Sequence, residues 1–414
     1  MTFSSLGLAP SLLNAITESG FATPTAIQAA AIPPALRGAD VLGQAQTGSG
    51  KTAAFALPLL DALLAQRTGA PGKLHALVLV PTRELAAQVG ETIRALASHL
   101  PVRVKVSVAF GGVSINPQMM ALRGGTDIMV ATPGRLLDLV EHNALKLDGA
   151  SVLVLDEADK LLDMGFADEL ARILALLPAR RQNLFFSATF PPAVQALAEK
   201  LLHEPVRVAT QDDEAYTPDI TQRAFEVDAT LRTPLLRHLM KEENWRQVLV
   251  FVATKYASEH VTEKLRRAGV AAEAFHGDFS QGARTSVLAD FRSGKLQVLV
   301  ATDVAARGID IAQLPVVVNY DLPRSPADYT HRIGRTGRAG ASGIAVSFIT
   351  PDAEQHFRLI ERRQAMRLPR ERVAGFEPMA PARELPPGAA DGTGGIKGKR
   401  KSKKDKLREA ANNT

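Results

Sequence analysis

The chain is predicted to fold as an α/β protein of two tandem parallel-sheet domains followed by a disordered basic tail. Three observations predict it. Short, almost wholly apolar runs rich in β-branched residues alternate with amphipathic helical patterns, the mark of a parallel sheet covered on both faces. That rhythm stops near residue 209 and restarts near 220. The length, 414 residues, exceeds what one core usually organises, and an apolar content of 46% is ample for two.

In the first half, extended DVLGQA (40–45) leads into helical AAFALPLLDALLA (53–65). A strand in HALVLVPT (75–82), a helix in ELAAQVGETIRALASHL (84–100) and strands in VRVKVSVAF (102–110), TDIMVATP (126–133), SVLVLDEAD (151–159) and QNLFFSATF (182–190) follow. The second series is QVLVFVAT (247–254), AAEAFHG (271–277), QVLVATD (297–303), PVVVNYD (315–321) and SGIAVSFIT (342–350). Between the two lies polar, acidic, proline-interrupted VATQDDEAYTPDITQ (208–222), with the composition of a hinge. Beyond Arg367 proline, glycine and charge rise and periodicity is lost. The expected division is a first domain at 1–208, a linker at 209–219, a second domain at 220–367 and an unstructured tail at 368–414.

Composition excludes several classes. No apolar run is long enough to span a bilayer, and the N-terminus MTFSSLGLAPSLL lacks the basic start and cleavage site of a signal peptide, so a soluble, cytoplasmic protein is expected. The absence of cysteine rules out disulfides and thiolate metal sites, and the nine histidines form no HxxxH pair. Any metal is expected to arrive with a nucleotide. The net charge of +6 resides in the tail, where residues 397–409 hold eight Lys and Arg against two acids, leaving 41 basic and 41 acidic residues elsewhere. Such a tail either raises salt-sensitive affinity for phosphate backbones or only solubilises the terminus.

Chemistry begins at AQTGSGKT (45–52). Gly48 and Gly50 let backbone N–H groups curl toward a phosphate at a helix start, Lys51 adds a point charge, and the Thr52 hydroxyl suits magnesium. Ala45 stands where the strict pattern has glycine, but the strand before and helix after supply the required context. Asp156, Glu157 and Asp159 follow the apolar strand VLVL, at the carboxyl edge of a parallel sheet where ligands of such folds bind. One carboxylate there suits a magnesium shell and its neighbour can deprotonate a water. HRIGRTGRAG (331–340) offers arginines that reach the same phosphates only if two folded units meet.

DEAD (156–159), AQTGSGKT, PTRELAAQ (81–88), TPGR (132–135), SAT (187–189), ATDVAARGIDI (301–311) and HRIGRTGR (331–338) together resemble a DEAD-box RNA helicase, in the right order over residues 3–350. The words DEADKLLDMGF, HGDFSQGAR and NYDLPRSPADYTHRIGRTGRAG are similar to the bacterial RhlE-like branch. Ala45 is the residue this family itself carries.

The resemblance implies two RecA-like domains, ATP and Mg2+ as cofactors, and a role for each matching position. Phe21, Thr25 and Gln28 match the family's adenine-recognising Q motif, the Gln28 amide donating and accepting at once and so selecting ATP over GTP. Phe3 either packs near the base or belongs to the core. Gln46, Thr47, Gly48, Ser49, Gly50, Lys51 and Thr52 would hold the phosphates. Thr52 and Asp156 would hold the metal, and Glu157 would act as base. Arg335 and Arg338 match arginine fingers that neutralise the transferring phosphoryl group. Gly308 and Asp310 would meet the ribose. Asp159, Ser187, Thr189 and His331 resemble the residues that couple the nucleotide and RNA sides.

Thr82, Arg83, Gly111, Gly112, Thr132, Pro133 and Arg135, with Arg284 and Thr302 from the second domain, match positions that hold single-stranded RNA by phosphates and sugars. Contacts of that kind carry no base information, so recognition is expected to tolerate any sequence and to favour RNA where the 2′-OH is read. The implied activity is ATP-dependent separation of short duplexes by local bending of one strand, in a monomer. The other readings are an ATP-gated RNA clamp with little unwinding and a DNA helicase. Ribosome assembly, RNA decay and cold adaptation, with their protein partners, are all compatible with it.

Overall fold

The computed structural model describes residues 2–45, 49–66, 73–209, 219–306, 314–337 and 342–378. They form two compact units, one built mainly from residues up to 209 and the other mainly from 219 onward.

The first unit is a sheet of seven parallel strands: β1 (Val41–Gln44), β2 (Ala76–Leu79), β3 (Val106–Ala109), β4 (Ile128–Ala131), β5 (Val152–Leu155), β6 (Gln182–Ser187) and β7 (Val206–Ala209). Their spatial order is β3-β4-β2-β5-β6-β1-β7. In the middle strands every residue is buried because helices cover both faces, and this is why their sequences are continuously apolar rather than alternating. Period-two geometry still sorts them: Val78, Val130, Val154, Leu184 and Phe186 join one core, while Leu79, Met129, Leu155 and Phe185 join the other. Full burial of one such side chain contributes about 1.5 to 3 kcal/mol.

The second unit repeats the plan with β8 (Ile220–Glu226), β9 (Val248–Val252), β10 (Ala272–Phe275), β11 (Val298–Thr302), β12 (Val316–Asn319), β13 (Gly343–Ile349) and β14 (Arg370–Glu371). Their order is β10-β11-β9-β12-β13-β8-β14, strand for strand the circuit of the first sheet. The restarted rhythm of the sequence is therefore a repeated topology. Helix entry repeats too. Thr82 Oγ accepts from the Leu85 N–H at 3.3 Å after β2, and Thr254 Oγ accepts from the Ala257 N–H at 3.0 Å after β9. Each hydroxyl satisfies a donor that the first helical turn leaves without a carbonyl.

Two boundaries differ from the expectation. Ala209, placed in the linker, is the last residue of β7; residues 210–218 lie outside the described residues. The tail does not begin at 368. Residues 368–378 belong to the second unit, with β14 parallel to β8 at the sheet edge. Charge pairing holds this strap together with the packing of Leu368, Val373 and Phe376 against the apolar cores. Arg370 donates to both oxygens of Glu354 and both of Glu361 and lies over the Phe357 ring, while Arg223 binds Glu371 from β8. Residues 379–414, including the basic stretch, lie outside the described residues.

Candidate active site and RNA-facing elements

The nucleotide elements of the first unit gather at the carboxyl ends of β1, β5 and β6. Helix Lys51–Gln66 opens after the loop that leaves β1. Gln46, Thr47 and Gly48 lie outside the described residues. Gly50 has φ +92°, and a Cβ there would run into the Gln28 amide and the Thr25 hydroxyl, so glycine is required on both counts. Gln28 is buried. Its Nε2 donates to the Gly50 carbonyl at 3.1 Å and its Oε1 accepts the Thr25 N–H at 3.0 Å. These two bonds use one N–H and one lone pair of that amide and leave the other of each. Phe21 packs edge-on against Phe3 at 6.4 Å, and Phe3 itself sits in the apolar core.

Lys51 is buried, donates to the Ala45 carbonyl at 2.9 Å and stands 4.0 Å from Asp156 Oδ1. Ser49 and Thr52 flank Lys51 in the chain and are half-buried. Asp156 and Glu157 are both buried at the end of β5. Burial pushes the Asp156 carboxyl up to about 6; Lys51 draws it down and the neighbouring Glu157 charge adds to the rise. Asp156 Oδ1 is buried with no hydrogen-bond partner among the described residues, an acceptor that suits a cation. Glu157 occupies the left-handed region at φ +54°, an uncommon conformation for a side chain of its kind, with Oε1 2.8 Å from Lys160 Nζ.

Asp159 ties the β5 end to the β6 end. Its Oδ2 accepts the Thr189 N–H at 3.1 Å and the Thr189 hydroxyl at 2.7 Å; its own N–H donates to Ser187 Oγ at 3.2 Å, and Ser187 Oγ donates to the Thr189 carbonyl at 2.8 Å. The three coupling residues expected in this unit thus form one bonded set. His331, the fourth, belongs to the second unit, in helix Pro326–Ile333.

A second cluster stands at the carboxyl ends of β2, β3 and β4. Thr82 caps the helix that Arg83 begins, and Thr132 precedes a helix whose first residue is Pro133, where the missing N–H costs nothing. Gly112 has φ +77°, and its Cα lies so close to the Arg83 guanidinium that any side chain would displace it. Arg135 is buried, with Nη2 donating to the Val113 carbonyl at 2.8 Å and Nε to Asp138 at 3.3 Å. It therefore anchors the loop that carries Gly111 and Gly112. Its Nη1 is buried without a partner among the described residues.

In the second unit Thr302 closes β11 and is buried. Arg284 is buried as well, bonded to the His276 and Ala305 carbonyls at 3.2 and 3.3 Å and stacked 4.3 Å over the Phe275 ring. Those bonds make it a brace between the end of β10 and helix Asp303–Ala306. Arg335 is buried, and its carbonyl accepts the Leu314 N–H at 3.2 Å. Gly308, Asp310 and Arg338 lie outside the described residues.

A profile of the DEAD/DEAH box helicase matches residues 25–197, and one of the helicase conserved C-terminal domain matches 232–340. The chain is 44% identical over 361 residues to the DEAD-box ATP-dependent RNA helicase CshA of Bacillus cereus, covering 87% of this chain and 68% of that protein. It belongs to the DEAD-box helicase family.

Another relative is the ATP-dependent RNA helicase DeaD of Mycobacterium tuberculosis, 43% identical over 87% of this chain and 63% of that one. Among solved structures, S. cerevisiae Dbp5 bound to RNA and ADP BeF3 is 33% identical with a TM-score of 0.77, covering 90% of this chain and 95% of that one. Mss116p bound to ssRNA and AMP-PNP is 29% identical with a TM-score of 0.80, covering 90% and 79%.

Three residues of this DEAD-box protein serve its site without having been singled out in the sequence. Lys160 neutralises Glu157 from three residues on, a helical spacing that a charge-pair search would find. Gln118 brackets Phe110, accepting its N–H at 3.2 Å and donating to its carbonyl at 3.1 Å, and so steadies the strand end before Gly111. Arg332, inside HRIGRTGR, is a buried strut rather than a surface arginine. It binds Asp303 at 2.6 and 2.7 Å, Asn319 Oδ1 at 3.1 Å and the Asp321 carbonyl at 2.6 Å. Nothing local in the sequence separates it from Arg335.

Proposed function

We propose that this DEAD-box protein is an RNA-stimulated ATPase that separates short RNA duplexes, binding ATP on the residue 45–52 loop and RNA on the loops that follow β2, β3 and β4. The Asp159, Ser187 and Thr189 bonds carry the proposal, because they join the strand end holding the hydrolytic carboxylates to the neighbouring strand end. A change at the nucleotide then has a bonded route outward.

In this reading Gln28 and Thr25 meet the base, Lys51 binds the phosphates, and Thr52 and Asp156 hold magnesium, which when bound screens the phosphate charge. Glu157 takes the proton of the attacking water, with the Lys160 ammonium beside it. Arg335 and Arg338 neutralise the phosphoryl group, and Gly308 and Asp310 meet the ribose. Arg83, Thr82, Thr132 and Pro133 meet the RNA backbone, while Arg135 and Arg284 orient the loops around it. Closure on ATP and RNA bends one strand out of duplex geometry. A stacked pair contributes roughly 1 to 2 kcal/mol, so one closure opens only a short helix. Binding is sequence-tolerant, and the protein acts as a monomer in the cytoplasm. Among the described residues no helix is long and apolar enough to cross a membrane.

The test is ATP-dependent displacement of a short RNA duplex with a single-stranded extension, beside the matching DNA duplex and the Glu157→Gln protein. Displacement of RNA that needs ATP and stops turning over in the variant supports the proposal. Tight ATP-dependent RNA binding with no displacement replaces it with an RNA clamp.

A further inference from the structure

The end of the second unit carries an arginine-lined cleft of about 490 Å³, between helix Glu354–Arg363 and the turn and strap that follow it. Four arginines and two glutamates line it. The glutamates are fully engaged: Arg370 binds both, and Arg358 Nε donates to Glu354 at 2.8 Å. Burial pushes both carboxyls up, but these hydrogen bonds more than offset it and hold them below the ordinary glutamate value. They remain ionised and neutralised.

Arg362 and Arg367 line the same cleft, exposed, and have no ion-pair partner among the described residues. The turn presenting Arg367 is held in place. Ala365 takes φ +50°, a conformation that usually calls for glycine, while the Met366 N–H donates to the Glu361 carbonyl at 3.0 Å and the Leu368 N–H to Glu361 Oε1 at 2.8 Å. Two guanidinium forks without a direct ion pair, Arg367 feeling only the more distant Glu361 charge, therefore border one cavity, with an excess of positive charge and a backbone that fixes their spacing.

We propose that this cleft binds a backbone phosphate of RNA through Arg362 and Arg367, as a contact additional to the loops of the two sheets. The inference rests on the proposed function. Planar guanidinium groups match phosphate oxygens, whereas a protein partner would call for an apolar anchor pocket, and the aliphatic side chains of the lining, Met366 and Leu368, are taken up in packing against the core.

The experiment is an anisotropy titration of a long fluorescent single-stranded RNA against the full-length protein over a range of salt concentrations, for wild type and the Arg362→Gln/Arg367→Gln double variant. The expected result is an affinity about 3- to 10-fold lower at low salt and a log–log salt slope shallower by about 0.7 to 1.4, one to two phosphate contacts on the single-strand scale. RNA-stimulated turnover at saturating RNA stays at the wild-type level. Arg363→Gln, an exposed neighbour outside the cleft, keeps the wild-type slope. An unchanged slope in the double variant, or an equal loss in Arg363→Gln, overturns the inference while leaving the helicase reading standing. A wild-type protein without RNA-stimulated turnover overturns that reading and this inference with it.

Discussion

Thr189 gives both its backbone N–H and its hydroxyl to a single oxygen of Asp159, at 3.1 and 2.7 Å. The acidic segment after β5 and the Ser187-Ala188-Thr189 segment at the end of β6 are thereby one mechanical piece. Thr189→Ala removes the hydroxyl bond and keeps the backbone one. A loss of about 1 kcal/mol in stability is expected, together with about a five-fold fall in strands displaced per ATP hydrolysed. Displacement and phosphate release measured on the same samples check it. An equal fall in both rates would place Thr189 in the chemistry rather than in the coupling.

Glu157→Gln is expected to slow single-turnover ATP hydrolysis by about 10² to 10⁴ with ATP still bound, the range for loss of a general base. It also removes the charge 2.8 Å from the buried Lys160 ammonium, so the free energy of unfolding falls by about 1 to 3 kcal/mol. Hydrolysis within tenfold of wild type would mean that another group takes the proton.

Gly112→Ala tests the Arg83 contact. The left-handed φ alone costs about 1 kcal/mol, and the added methyl displaces the Arg83 guanidinium. The RNA concentration for half-maximal ATPase should rise while nucleotide affinity without RNA stays put. Unchanged RNA dependence would remove Arg83 from the RNA path.

Arg370→Gln removes the cation shared by Glu354 and Glu361 and is expected to cost the second unit about 2 kcal/mol at neutral pH, less than a fully buried pair because its side chain is partly exposed. The folded values of both glutamates lie below their ordinary 4.5. The stabilisation they contribute is complete above that value and is lost as pH falls through the lower folded values. Melting temperatures of wild type and variant should therefore differ at pH 7 and converge in acid. A constant gap would assign the loss to packing of Arg370 on Phe357.

Strands buried on both faces were legible because nothing else explains uninterrupted runs such as VLVL in β5 or VLVFV in β9. β7 and β8 were not. VRVA is largely exposed at the sheet edge, and ITQRAFE mixes polar with apolar residues beside a charged neighbour strand, so neither presents an apolar run. β14 is two charged residues, and their partners lie far off in the chain: carboxylates 16 and 9 residues away converge on its arginine, and the Arg223 guanidinium, 148 residues away, on its glutamate.

The site divides along the same line. Lys51, Asp156, Glu157, Asp159, Ser187 and Thr189 could be named from the order of residues, because loops that bind phosphate and carboxylates at strand ends obey local rules of spacing and backbone conformation. Whether an arginine meets solvent or braces the interior is not local: Arg135, Arg284 and Arg332 read in the sequence like Arg83, yet each is buried and bonded to backbone carbonyls. Their roles depend on which carbonyls and carboxylates the packed strands bring within about 3 Å, the reach of a hydrogen bond, and only the folded chain sets that distance.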